Sequence, residues 1–361
     1  MTGVAFFLVD TDTDWHNFDN MQRAGHLVAQ ARAAAPNSEL VLNTYVYWLR
    51  SVGHCEEVIE AAQRAIQTDP NGVRVMTGIY HELAVCKTWT GHAEEAIALQ
   101  ETVNQLNPLS PWKYNRYRHV GWYSLLLGRD QDAITYLQRS LAIKPDNDGK
   151  TEWNCRMLAA AYARTGHMQE ARRWLSQADG LWPFSTVRGQ FPPLLTSPVF
   201  VEQIRRYQDA LRLAGERDHA DEEADFGVPA DGALHGEIAG HTPAEAPGVT
   251  TIRTPDLVRF LGDARPIVID TATNSWGRSI PGAVGLRSVQ DRLRSTMRAL
   301  TADDFARPVV AVGWNSERFD GRNLALRLAA LGYARVYWYH GGREAWEVNG
   351  QPETDLARAD W

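Results

Sequence analysis

The stretch RHVGWYSLLLGRDQDAITYLQRSLAIKP, Arg118–Pro145, decides how the first two thirds of the chain are read. Its first apolar run ends at Gly128, where a helix has to stop and turn, and its second begins near Asp130 and is stopped by Pro145. Ala133, Leu137 and Ser140 stand twelve, eight and five places before the proline, which puts them on one helical face. The pattern recurs. AGHLVAQARAAAP, VIEAAQRAIQTDP, AIALQETVNQLNP and ARRWLSQADGLWP end at Pro36, Pro70, Pro108 and Pro183, so the unit repeats every 34 to 38 residues. Gly53, Gly91 and Gly166 take the place that Gly128 has here.

Helix, glycine turn, helix and proline stop, repeated at one spacing, resemble the tetratricopeptide (TPR) array over about residues 15 to 185. In the best copy Gly121, Gly128, Ala133 and Pro145 stand at the family's signature places, with Tyr117 where its tryptophan is usual. The first unit shows only its second helix. After Pro183, FVEQIRRYQDALRLAGERD reads as one more amphipathic helix, expected to cap the solenoid with a polar face. Such arrays bind extended peptides on the face lined by the first helix of each pair. The register puts Asn43, Tyr47, Arg50, His81, Asn115, Arg118, Trp122, Trp153, Arg156 and Arg164 there. The set is basic and aromatic with no Asp or Glu, which suits a carboxylate-bearing, acidic protein or peptide partner. The competing reading is that some of these residues pair with neighbouring Glu or pack between repeats.

Composition then shifts. Residues 216–248, ERDHADEEADFGVPADGALHGEIAGHTPAEAPG, are acidic, rich in Ala, Gly and Pro, and read as a flexible linker. Asp218, Asp221, Glu222, Glu223 and Asp225 lack metal-ligand spacing, so a solvated charge run is expected rather than a metal site.

From Thr250 short β-rich runs, TTIRT, PIVID, PVVAV and RVYWY, alternate with helical text, which argues a parallel sheet covered by helices. VID at Val268, SIPGAV at Ser279 and LGYARVYWYHGGREAWEVNGQP from Leu331 together resemble the rhodanese (sulfurtransferase) domain across about residues 249 to 352. In that family the third of these strands ends in a cysteine that opens a C-x-x-x-x-R loop, whose inward amides stabilise a thiolate and its persulfide. Here the loop is Gly313, Trp314, Asn315, Ser316, Glu317 and Arg318, and FDG lengthens the approach to the helix. Cys155 is the last cysteine in the chain, so no persulfide carrier is available to this domain. Ala272 and Ser279 stand where the family usually has arginine and histidine.

Ser316 as a replacement nucleophile would need a base and an orienter, and no motif links it to His340, Glu317 or Asp320. The phosphatases built on this fold lengthen the loop too, but keep the cysteine. What remains is an amide nest at Gly321 with Arg318 and Arg322 nearby, expected to favour a small anion. Trp314 either presents a partner surface above it or folds inward to fill the vacated space.

Three domains are therefore expected: 1–215, an all-α TPR solenoid; 216–248, the linker; and 249–361, a rhodanese-like α/β domain. The 361 residues carry 44% hydrophobic and 22% charged residues and a net charge of −7, ordinary globular material and a poor match to nucleic acid. No apolar run approaches membrane-spanning length, and a cytoplasmic protein without cofactor is expected. Cys55, Cys86 and Cys155 are an odd set without CxxC spacing and read as buried thiols. The order of modules also resembles the C-terminal half of some bacterial class III adenylate cyclase and signalling proteins, implying a signalling context. The function expected is a protein-binding scaffold with an inactive sulfurtransferase homologue. The alternative is a sulfurtransferase-family or phosphatase-like enzyme using another group.

Overall fold

Each repeat folds as its glycine and its apolar stripe dictate. The computed structural model describes residues 18–51, 53–68, 73–144, 151–190, 197–236, 239–271, 278–286, 290–355 and 357–358. Pro70, Pro145, Ala272 and, within the acidic stretch, Glu237 and Ile238 lie outside the described residues. Two compact units emerge, divided between Arg217 and Asp218.

In the first unit α1 (Phe18–Ala34) precedes four helix pairs: α2 (Glu39–Ser51) with α3 (Cys55–Thr68), α4 (Val73–Trp89) with α5 (Ala93–Leu106), α6 (Lys113–Leu126) with α7 (Asp130–Ile143), and α8 (Thr151–Arg164) with α9 (Met168–Leu181). The four turns are made by Gly53, Gly91, Gly128 and Gly166, with φ of 83°, 92°, 80° and 81°, the left-handed region that glycine adopts without steric cost. The stripe read from Arg118–Pro145 is the seam of the fold. Ala133, Leu137 and Ser140 are fully buried, as are their counterparts Val58, Ala62, Ala96, Gln100, Ala171 and Ala178. Gly121 has its signature role for a steric reason: a Cβ there would stand 2.6 Å from Leu137 Cγ, so only glycine lets α6 and α7 approach so closely.

The helix α10 (Pro198–Ala214) is well encoded locally. Ser197 caps it by accepting from the Phe200 amide at 3.1 Å, Pro198 follows at the first turn, and Gly215 (φ 104°) ends it. Its placement differs from the expected cap. It packs mainly on α8 and also on α6, first helices of successive pairs, and its leading end meets α4 through the Ser197 amide, which donates to Trp89 O at 2.9 Å. Phe200, Ile204, Tyr207 and Leu211 form one apolar face, and that face needs a hydrophobic partner that the first-helix surface supplies.

A second correction concerns the thiols. Cys55, at the start of α3, and Cys86, late in α4, form a disulfide with Cα atoms 5.0 Å apart; Cys155 alone is free and buried. Their separation of 31 residues is close to one repeat, and successive repeats stack side by side.

The second unit contains β1 (Thr250–Ile252), α11 (Thr254–Ala264), β2 (Ile267–Asp270), β3 (Arg278–Ser279), β4 (Val284–Gly285), α12 (Gln290–Thr301), β5 (Val309–Val312), α13 (Asp320–Ala330), β6 (Val336–Tyr339), α14 (Gly342–Val348), β7 (Thr354–Asp355) and β8 (Ala357–Arg358). Six strands run in the order β1-β6-β5-β2-β4-β8, all neighbours parallel, while β3 and β7 form a small antiparallel pair. The central strand β5 is buried along its whole length, as its unbroken apolar run VVAV requires. Among the described residues no helix is long and apolar enough to cross a membrane.

The stretch read as a flexible linker behaves otherwise. Glu216 and Arg217 belong to the helical unit, and the residues from Asp218 on belong to the α/β unit. There they are held by hydrogen bonds to Ser316, Arg322, Asn323, His340 and Glu344. Low hydrophobicity removed the usual signal of order, but the segment is tied down through backbone groups, which composition does not reveal.

Candidate binding groove and the thiol-less loop

The first helices of the pairs and α10 enclose a cavity of about 630 Å³. Seven of the ten expected groove residues line it: Tyr47, Arg50, His81, Asn115, Arg118, Trp122 and Trp153. The rings are in contact. Trp122 lies 5.6 Å from Trp153 and meets Tyr207 of α10 edge-on at 5.0 Å, and His119 meets Trp153 edge-on at 6.2 Å. Arg118, buried, donates to Asn115 Oδ1 and holds its guanidinium 5.4 Å over the Trp153 ring. Arg50 is engaged by Glu82 at 2.6 Å, both side chains buried. Glu82 therefore gives the groove a carboxylate that the register omitted, because the counted position fell on its neighbour His81.

Three expected residues serve other ends. Asn43 packs against Gly78, its Oδ1 standing 2.6 Å from where a Cβ on that glycine would be. Arg164 donates to Leu125 O at 3.0 Å and pairs with Asp130 at 3.2 Å, closing the end of α6. Arg156, with no exposed surface, is enclosed by Glu152, Asp179 and Glu216 and donates to Trp182 O at 2.9 Å. The acidic partner read for Arg156 is intramolecular. Glu216, just past α10, pays burial: its carboxyl is pushed up to about 7, with Arg156 pulling the other way. Missed by the register were Phe200, Ile204 and Tyr207, which enter from α10; their i, i+4, i+7 spacing was the available signal.

In the α/β unit the loop from Gly313 to Phe319 joins β5 to α13. Gly313 lies against Asp320: a Cβ at 313 would fall 2.6 Å from Asp320 Oδ1 and 2.7 Å from the Gly321 nitrogen. Trp314 is folded inward and buried, with Arg343 5.6 Å over its ring. The carbonyls of Gly313 and Trp314 accept from the Arg343 and Glu344 amides at 3.0 and 2.9 Å. Asn315 donates to Glu344 Oε2 at 3.0 Å and accepts from the Glu317 amide at 3.0 Å. Asp320 is the group that fills the nest. Burial holds its carboxyl above the usual range; Arg318 and the Gly321, Asp320 and Trp314 amides oppose this without reaching either oxygen at hydrogen-bonding geometry.

Of the two arginines expected to hold an anion, Arg322 is engaged within the domain. Arg322, fully buried, donates to Ala233 O at 2.9 Å and to Asp231 Oδ1 at 2.7 Å. Ser316 is no poised nucleophile: its buried hydroxyl donates to Asp221 O at 2.7 Å. His340 donates from Nδ1 to Glu222 O at 2.8 Å, its Nε2 lies 3.1 Å from Thr242 Oγ1, and burial with Arg253 nearby lowers it to about 4. Asp221, Glu222, Asp231, Ala233 and Thr242 supply the partners of these groups. Ser279, at the histidine place, donates to Asp270 Oδ2.

The rhodanese-like domain family matches residues 254–349. The second unit is a rhodanese-like domain. Its family match begins at α11 and ends just past α14, so Asp221, Glu222, Asp231, Ala233 and Thr242 precede the matched part of the rhodanese-like domain. The helical unit has TPR-like structural neighbours. They include MamA of AMB-1 (22% identity, TM-score 0.37, covering 46% of this chain and 92% of that one) and PilW, a type IV pilus biogenesis factor (14%, 0.43, 59% and 88%). YrrB, a TPR protein with an unusual peptide-binding site, is another (14%, 0.37, 52% and 95%). No curated protein matches the chain.

Proposed function

We propose that this chain recognises a protein or peptide through the aromatic cavity of its helical unit, and that its rhodanese-like domain is a binding or regulatory module rather than a sulfurtransferase. The observation that carries the reading is the cavity itself. Four indoles, Trp89, Trp112, Trp122 and Trp153, converge with Arg118 on a space closed on one side by α10. Aromatic and arginine side chains around a desolvated recess are what energetic hot spots of recognition are made of. Because α10 lies on α6 and α8, the ligand enters this recess instead of running along the whole first-helix face. For the rhodanese-like domain, the support is Gly313 at the thiol's place with Asp320 against it, and Ser316 and His340 each engaged by a backbone carbonyl.

The test uses the full chain as bait. Partners cross-linked to the wild type and lost from Trp153→Ala, with its melting temperature preserved, support the reading. Retention of every partner by that variant rejects it. Thiosulfate:cyanide turnover above buffer rejects the second half.

A further inference from the structure

We infer that the cavity between α4, α6, α8 and α10 is a site for a planar aromatic ring that carries a carboxylate. This rests on the recognition reading above and names the ligand chemistry it requires. The size is right for such a group: about 630 Å³ lies within the range of pockets that enclose small ligands or anchoring side chains. The walls favour rings over aliphatic chains. Trp122, Trp153 and Tyr207 already meet one another in tilted and edge-on arrangements, so an inserted ring finds both faces and edges to pack on.

Charge then selects among aromatic ligands. An aromatic cage without cations would suit an ammonium group. Here the described lining carries two guanidinium groups and one carboxylate, and that carboxylate, Glu82, is engaged by Arg50. Arg118 lies over Trp153, so the strongest ring wall is also the positive one. A ligand cation would be repelled there, whereas a carboxylate has a guanidinium to meet.

An independent observation points the same way. One phenol of the lining, Tyr123, is 1% exposed, and its hydroxyl makes no hydrogen bond among the described residues. Thr88 and Gln100 lie near the Tyr123 hydroxyl without reaching it at bonding geometry, and both Glu82, which Arg50 engages, and Arg118 act on the same group. Buried hydroxyls are nearly always paired in folded proteins. A bound carboxylate would take the Tyr123 hydroxyl and the Arg118 guanidinium together.

The probes are 3-phenylpropionate, its amine analogue 3-phenylpropylamine, and the peptide Gly-Gly-Trp as free acid and as amide, titrated into the full chain by calorimetry and ligand-observed NMR. Both acids bind, and the amine and the peptide amide bind about tenfold more weakly or not at all, a difference of ~1.4 kcal/mol. Tyr123→Phe weakens the acids several-fold while the melting temperature stays or rises, because the hydroxyl it removes makes no hydrogen bond among the described residues. Arg118→Gln weakens them further. Tighter binding of the peptide acid assigns the ring to a chain terminus, and tighter binding of 3-phenylpropionate assigns it to a free aromatic acid; either supports the inference. Equal binding of acid and amine, no binding of either acid, or unchanged affinity in both variants overturns it. If the acids fail while partners are still lost on Trp153→Ala, the ligand class is wrong and the recognition reading stands.

Discussion

Asp320 Oδ1 stands 2.6 Å from the point at which a Cβ on Gly313 would lie, and the two positions cannot both carry a side chain as the loop is now built. The glycine at the family's thiol position is thereby a steric partner of the Asp320 carboxylate. A cysteine at 313 has to move Asp320 or the backbone at Gly321. Gly313→Cys is expected to lower the melting temperature and to leave thiosulfate:cyanide activity at background. Gly313→Cys with Asp320→Gly is expected to recover part of that temperature, which differential scanning fluorimetry of the two variants checks.

Arg156 and Glu216 tie the end of α10 to α8 through a direct ion pair. Removing one partner strands the other as a buried charge, which typically costs about 3–5 kcal/mol. Arg156→Ala is expected to destabilise the helical unit by that order in urea titrations. A double-mutant cycle with Glu216→Gln should show strong coupling, and additive effects would mean that the pair is not what holds α10.

The placement of α10 depends on its apolar face and on its cap. Phe200→Ala is expected to cost about 3–5 kcal/mol and Ser197→Ala about 1 kcal/mol. Both should speed hydrogen exchange in 198–214 ahead of the rest of the unit. Uniform exchange along the chain would show that α10 is not a separable layer.

His340 is lowered to about 4 by burial and by Arg253, against an ordinary value of 6.5. The folded α/β unit resists a proton that the unfolded chain accepts. Stability present above pH 6.5 is therefore lost as pH falls toward 4, and the gap corresponds to about 3 kcal/mol. Chemical denaturation between pH 7 and 4 is expected to show this loss in the wild type and a smaller one in His340→Gln.

The Cys55–Cys86 bridge predicts a thiol count. Protein unfolded without reductant should titrate one thiol, Cys155, and three after reduction. Closing a loop of 31 residues stabilises by about 3–4 kcal/mol on the chain-entropy view, so reductant should lower the melting temperature of the helical unit.

Much of this molecule was legible before folding because it depends on neighbours along the chain. Gly53, Gly91, Gly128 and Gly166 end helices through their own φ, and Ala133, Leu137 and Ser140 share a face because a helix has 3.6 residues per turn. The runs PIVID, PVVAV and RVYWY became strands for the same local reason, and seven of the ten residues read from the repeat count line the cavity. What the tertiary structure decided is which distant groups meet. The stripe Phe200, Ile204, Tyr207 and Leu211 required an apolar surface, but only packing chose the faces of α6 and α8 over the end of the array. Arg156 required a carboxylate and found Glu216; Arg322 required acceptors and found Asp231 and Ala233; two cysteines one repeat apart came within bonding reach. Periodicity encodes the shape of each element, whereas the pairing of buried charges and thiols depends on distances that exist only once the elements are stacked.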